Sequence, residues 1–219
     1  MRNSKRDYNA YSVKYCIFPI VRKGVILSII KTQSNVQVTC GLATTKSETR
    51  EQNDYYATSP KAVEMLLGLE TFDKNILEPC CGEGHISNVL KDAGHIVTSS
   101  DLIDRGYGEV KSIFDYKHFD GDVITNPPYK IALECLEHSY EIINDGNKVA
   151  MFLRLQFLEG VARRKFFDVH PPKIIYVPSH RLCCAMNGDF ENYHASAMAL
   201  CWFIWEKGFT GDPIVRWFN

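Results

Sequence analysis

The sequence lacks any run of about 18 uncharged apolar residues, the length a helix needs to cross a bilayer. The closest approach, Ile17 to Ile30, is interrupted by Pro19, Arg22, Lys23 and Gly24, and it has no small-residue cleavage site of a secretory leader. A cytoplasmic protein without a membrane partner is the expectation. Also missing is any Cys-x-x-Cys spacing, although the chain has 8 cysteines. Cys80-Cys81 and Cys183-Cys184 are adjacent pairs, a poor geometry for two ligands of one tetrahedral metal. No metal site is therefore expected, and the cysteines read as reduced, mostly buried thiols. A strong charge of either sign is absent too, since the formal net charge is -1. That excludes an evenly basic coat for nucleic acid and leaves room for local basic faces.

Charge is in fact unevenly distributed. Residues 1–50 carry nine Lys/Arg against two Asp/Glu, residues 146–181 carry seven against two, and residues 70–126 carry eleven acids against five bases. The first stretch also holds two β-branched runs, 16–21 and 25–30, around Arg22-Lys23-Gly24, the pattern of a hairpin. Residues 1–53 are read as a basic N-terminal extension and residues 54–219 as one catalytic domain, a length that suits a single buried core.

From Tyr55 onward strand and helix patterns alternate. Ser59-Pro60 is a helix start, followed by Ala62, Val63, Leu66 and Leu67 at helical spacing. Strands are predicted at 75–78, 95–101, 122–126, 148–155, 173–177 and 198–205, and helices at 84–93, 131–143 and 161–169. Such alternation implies an α/β fold, a doubly wound, mostly parallel sheet covered on both faces. The long apolar run 198–205 is expected to be its last strand, antiparallel to the rest.

Two segments carry chemistry. Glu78-Pro79-Cys80-Cys81-Gly82-Glu83-Gly84 lies between a strand and a helix, where Gly82 and Gly84 allow a tight turn beside a helix N-terminus. A dinucleotide fingerprint needs a third glycine where Ser87 stands, which disfavours a nicotinamide oxidoreductase. Asp101 ends the next strand, where a carboxylate can accept hydrogen bonds from both hydroxyls of a ribose. An adenosine-containing cofactor follows from the pair. The second segment, Asn126-Pro127-Pro128-Tyr129, falls at the carboxyl edge of the sheet. The amide oxygen of Asn126 and the backbone carbonyl of Pro127 can each accept a hydrogen from an exocyclic amine, exposing its lone pair. Tyr129 offers a flat face to a base, worth about 1–3 kcal/mol, and the prolines stiffen the turn.

In these motifs the chain resembles the class I S-adenosylmethionine-dependent amino-methyltransferases, most of all the adenine-specific DNA methyltransferases of phage and restriction–modification type. Glu78 to Gly84 resembles their cofactor loop and Asn126 to Tyr129 their catalytic tetrapeptide, with Asn126 also bordering the cofactor. Tyr56-Ala57-Thr58 resembles their cofactor-binding Tyr-x-Thr-Pro segment, with Ser59 inserted before Pro60, and Asp115 takes the place of the acid near the cofactor's adenine ring. The resemblance covers about residues 54–206. It implies a Rossmann-like class I methyltransferase fold, S-adenosyl-L-methionine as cofactor and the amine of adenine in DNA as target. Cytosine, adenine in RNA or a protein glutamine would serve the same tetrapeptide, and an inactive regulatory module on the same fold is the non-enzyme alternative.

A separate target-recognition domain like the family's is not expected in the residues after Trp205. A separate specificity subunit is one alternative. Otherwise the grip on DNA is expected from the basic stretch 154–181, with Arg163 and Arg164 on phosphates, and from the polar loop 182–195, with Asn187, Asn192 and Tyr193 on the target.

Overall fold

The computed structural model describes residues 56–182, 184–186 and 198–219. The elements, in chain order, are β1 (Tyr56–Thr58), α1 (Pro60–Leu69), β2 (Asn75–Glu78), α2 (His85–Asp92), β3 (Ile96–Asp101) and β4 (Glu109–Val110). They continue with β5 (Asp122–Thr125), α3 (Ala132–Ile142), β6 (Lys148–Arg154), α4 (Val161–Phe167), β7 (Ile174–Pro178), β8 (Cys184–Met186), β9 (Leu200–Glu206) and β10 (Ile214–Phe218). Eight strands form one sheet in the order β10-β7-β9-β6-β5-β2-β3-β4. All neighbours run parallel except where β9 lies antiparallel between β6 and β7.

Side-chain alternation along the central strands builds two cores. In β6, Val149, Met151 and Leu153 face the layer of α3, while Ala150 and Phe152 face that of α1 and α2. In β9, Cys201, Phe203 and Trp205 face the first and Leu200, Trp202 and Ile204 the second. These strands are apolar on both sides, the mark of a sheet covered on both faces. Each fully buried large side chain contributes about 1.5–3 kcal/mol. Trp202 also donates its indole N–H to the Ala62 carbonyl at 2.9 Å, tying β9 to α1.

The helices start as the sequence indicates. Ser59 is the N-cap of α1 with Pro60 at the first turn, although the Ser59 hydroxyl makes no capping bond. Gly84 caps α2 with φ 84°, a left-handed conformation that favours glycine, and a Cβ there would come within 2.5 Å of the Tyr107 ring. Among the described residues, no helix is long and apolar enough to cross a membrane.

Two expectations change. The apolar run 198–205 is the antiparallel strand, as read, but it is not the last. Strand β10 follows and lies parallel to β7 at the sheet edge. Its residues Ile214 to Trp217 are exposed, so edge pairing rather than an apolar pattern defines it. The segment 182–195, read as a loop, contains β8, which pairs antiparallel with β1 through Tyr56↔Met186, Ala57↔Ala185 and Thr58↔Cys184. A strand of three residues with its partner over 120 residues away leaves no local signal. The expected N-terminal hairpin and Asn187, Asn192 and Tyr193 lie outside the described residues.

Candidate active site

Strand order reverses between β2 and β5, so the loops leaving their carboxyl ends diverge and leave a crevice, where ligands of such sheets bind. A cavity of about 490 Å³ opens there, within the usual range of about 300–1,000 Å³ for small-molecule sites. It is lined from the end of β2 by Glu78, from the loop that follows by Cys80 and Cys81, and from the end of β3 by Asp101. The loop after β5 contributes Asn126 to Ile131, and β1 closes one side with Tyr56, Ala57 and Thr58.

Asp101 organises the glycine loop. One carboxylate oxygen accepts the Gly82 amide at 2.9 Å and the other the Ile103 amide at 3.0 Å. Each oxygen keeps a second lone pair for a hydroxyl donor. Glu78 is fully buried at the cavity floor, where burial pushes its carboxyl up to about 8 despite a hydrogen bond donated by the Ser87 hydroxyl. The Cys135 thiol beside Cys80, together with burial, raises the Cys80 thiol well above its ordinary value, and burial pushes Cys81 up to about 12. Both stay protonated near neutral pH, so neither supplies a thiolate nucleophile.

Asn126 is held through its amide nitrogen. Nδ2 donates to the Tyr56 carbonyl at 2.9 Å and to Thr58 Oγ1 at 3.1 Å. With both N–H groups engaged by β1, the side-chain carbonyl is the group left to accept from a ligand. Tyr129 stands three residues on, its ring 6.5 Å from that of Tyr56 and tilted by 15°, with the Arg154 guanidinium 4.7 Å from its centroid. Its hydroxyl is buried beside the Cys184 thiol, and burial first, then that neighbour, raises its pKa far above the usual tyrosine range.

The structure thus gathers Tyr56, Thr58, Glu78, Asp101 and Asn126 to Tyr129 around one cavity, with Gly82 attached through Asp101. Pro79 and Gly84 shape the loop without lining it. Asp115 stands apart: it closes a capping box, its carboxylate accepting the Ser112 amide at 3.2 Å. Arg163 and Arg164 lie on α4. Arg163 donates to the Glu159 carbonyl and lies 5.0 Å from the Phe157 ring centre, and Arg164 pairs with Asp168 at 2.5 Å. Sequence reasoning missed Leu102, Ile103 and Arg105, which line the cavity just past Asp101. It placed Arg154 only in a basic stretch for phosphates and missed its place in the cavity, where it ends the apolar core of β6.

No protein-family model and no curated protein matches the sequence, whereas the fold is similar to that of solved structures. One is a candidate RNA methyltransferase from Pyrococcus horikoshii, 13% identical, with a TM-score of 0.51 over 81% of this chain and 100% of that one. Another is the modification subunit of a candidate type I restriction enzyme from Vibrio vulnificus, 8% identical, with a TM-score of 0.51 over 90% of this chain and 53% of that one. A third is a candidate class I S-adenosylmethionine-dependent methyltransferase from Listeria monocytogenes, 13% identical, with a TM-score of 0.51 over 87% of this chain and 72% of that one. The fold is that of the class I methyltransferases.

Proposed function

We propose that the protein transfers the methyl group of S-adenosylmethionine to the exocyclic amine of adenine in DNA. The observation that carries this reading is the anchored Asn126 amide, whose carbonyl is left for a donor in the cavity it shares with Asp101 and Tyr129. The cavity fits the cofactor: it is large enough, and the Asp101 carboxylate is placed to accept ribose hydroxyls. Glu78 and the glycine loop would border its remaining polar groups. When bound, S-adenosylmethionine supplies an electrophilic methyl group on a sulfonium.

The chain's own part is positioning. Asn126 and the Pro127 carbonyl accept the two hydrogens of the amine, so that its lone pair points away from them. Tyr129 stacks the base that carries the amine, and Pro127 and Pro128 hold the turn rigid, so little ordering is left for the reaction step. A base in duplex DNA must first be flipped out, at a cost of a few kcal/mol that stacking partly offsets. The modification-subunit neighbour favours DNA. The RNA methyltransferase neighbour supports a second reading in which the adenine lies in RNA.

The direct test is incubation with labelled cofactor and separate DNA, RNA and protein pools, followed by nucleoside analysis. Label in N6-methyladenine from the DNA pool is the expected result, and label confined to another pool moves the substrate there. Asn126→Ala should reduce turnover at least about 10²–10³-fold while binding S-adenosylhomocysteine as wild type does. An active Asn126→Ala enzyme would remove Asn126 from the chemistry.

A further inference from the structure

Arg154 ends β6, the strand paired parallel to β5 through Thr125↔Met151, so it stands at the same sheet edge as Asn126 and lines the same cavity. It is half-buried, and its Nε is fully buried without a hydrogen-bond partner. No carboxylate among the described residues pairs with it. Its guanidinium instead lies over the face of Tyr129, at 4.7 Å. A buried guanidinium N–H without an acceptor is costly unless a ligand completes it.

The acceptor it would meet follows from the proposed target. An amine on adenine or cytosine sits beside a ring nitrogen that accepts a hydrogen bond, and an amide nitrogen sits beside its carbonyl. A lone alkyl ammonium has no such neighbour and would be repelled by the guanidinium. An acceptor from Asn126 and a donor from Arg154 are the complement of that pair. Resting on the reading of the protein as an amino-methyltransferase, we infer that Arg154 is a specificity-determining residue that donates to the acceptor flanking the target amine. A planar ring entering over Tyr129 moves the guanidinium from the ring face to the substrate's edge, and no ion pair with a described residue has to break for it to move.

The test measures methyl transfer from labelled S-adenosylmethionine into single-stranded random-sequence oligonucleotide pools. One pool is synthesised with adenine and the other with 1-deazaadenine, which lacks the N1 acceptor. The wild type is expected to favour adenine about 10–100-fold, the scale of one hydrogen bond to a charged group. Arg154→Met should act on adenine no faster than the wild type acts on 1-deazaadenine, and should not distinguish the two pools. Arg154→Lys, which keeps the charge without the planar fork, should fall between. Calorimetry with S-adenosylhomocysteine should give the same affinity for all three proteins. Loss of that affinity in both variants would place Arg154 on the cofactor and overturn the inference. Equal discrimination by wild type and Arg154→Met would overturn it as well. Transfer by the wild type to cytosine instead would overturn the adenine reading alone, and the same comparison with 3-deazacytosine then decides Arg154. Transfer to no acceptor of any class overturns both.

Discussion

Asp101 and Glu78 show how two carboxyl groups beside one cavity differ by environment. Asp101 receives two backbone amides and joins the glycine loop to the end of β3. Replacing it with alanine should weaken S-adenosylhomocysteine binding by about 1–3 kcal/mol, the loss of a hydrogen bond to a charged group. Unchanged affinity by calorimetry would show that Asp101 only holds the loop. Glu78 is buried with Ser87 and raised from 4.5 to about 8, so the native protein keeps a proton that the unfolded chain releases between those values. Its contribution to stability is therefore complete below about pH 4.5 and is lost as the pH rises through about 8. Thermal melts across that range should decline less steeply for Glu78→Gln, which carries no titrating proton, than for the wild type. Parallel slopes would mean that Glu78 is ionised throughout. The sequence singled out both carboxyl groups as candidate cofactor-binding residues, but it could not separate their charge states, because desolvation depends on what the fold stacks over them.

At the scale of elements, the β1–β8 ribbon is the feature that turns a motif into a device. Thr58 is 2% exposed, and its hydroxyl accepts from Asn126 while its backbone pairs with Cys184. Thr58→Val keeps the shape and removes the acceptor. Turnover should fall about tenfold, near the worth of one hydrogen bond, with cofactor affinity unchanged. An unaffected turnover number would mean that the Tyr56 carbonyl alone orients the amide. Tyr56 and Thr58 could be singled out in the sequence only through resemblance, since their part is an interaction across 70 and 68 residues. The core elements were readable to within one or two residues, because their apolar periods are strong. The strands β1, β4, β8 and β10 were not, being short or exposed and defined by their partners.

For the molecule as a whole, the proposed DNA substrate requires a grip on a polyanion from a chain whose net charge is -1. Arg163 and Arg164 already have internal partners, but the Arg164–Asp168 pair is exposed, and such pairs contribute little. A phosphate can therefore replace Asp168 at small cost. If α4 holds phosphates, reversing both arginines to glutamate should reduce the salt dependence of duplex binding by a slope of about two, close to one unit for each phosphate no longer neutralised. An unchanged slope in filter-binding or anisotropy measurements would assign the grip elsewhere in the chain. The sequence by itself determined the alternation of strands and helices, the glycine loop and the Asn126 to Tyr129 turn, because periodicity and turn chemistry are local properties. Only the tertiary structure decided which groups face one another: the Asn126 amide held by β1 and the Arg154 guanidinium set over Tyr129. Those outcomes depend on burial and on the meeting of distant segments, which no local pattern encodes.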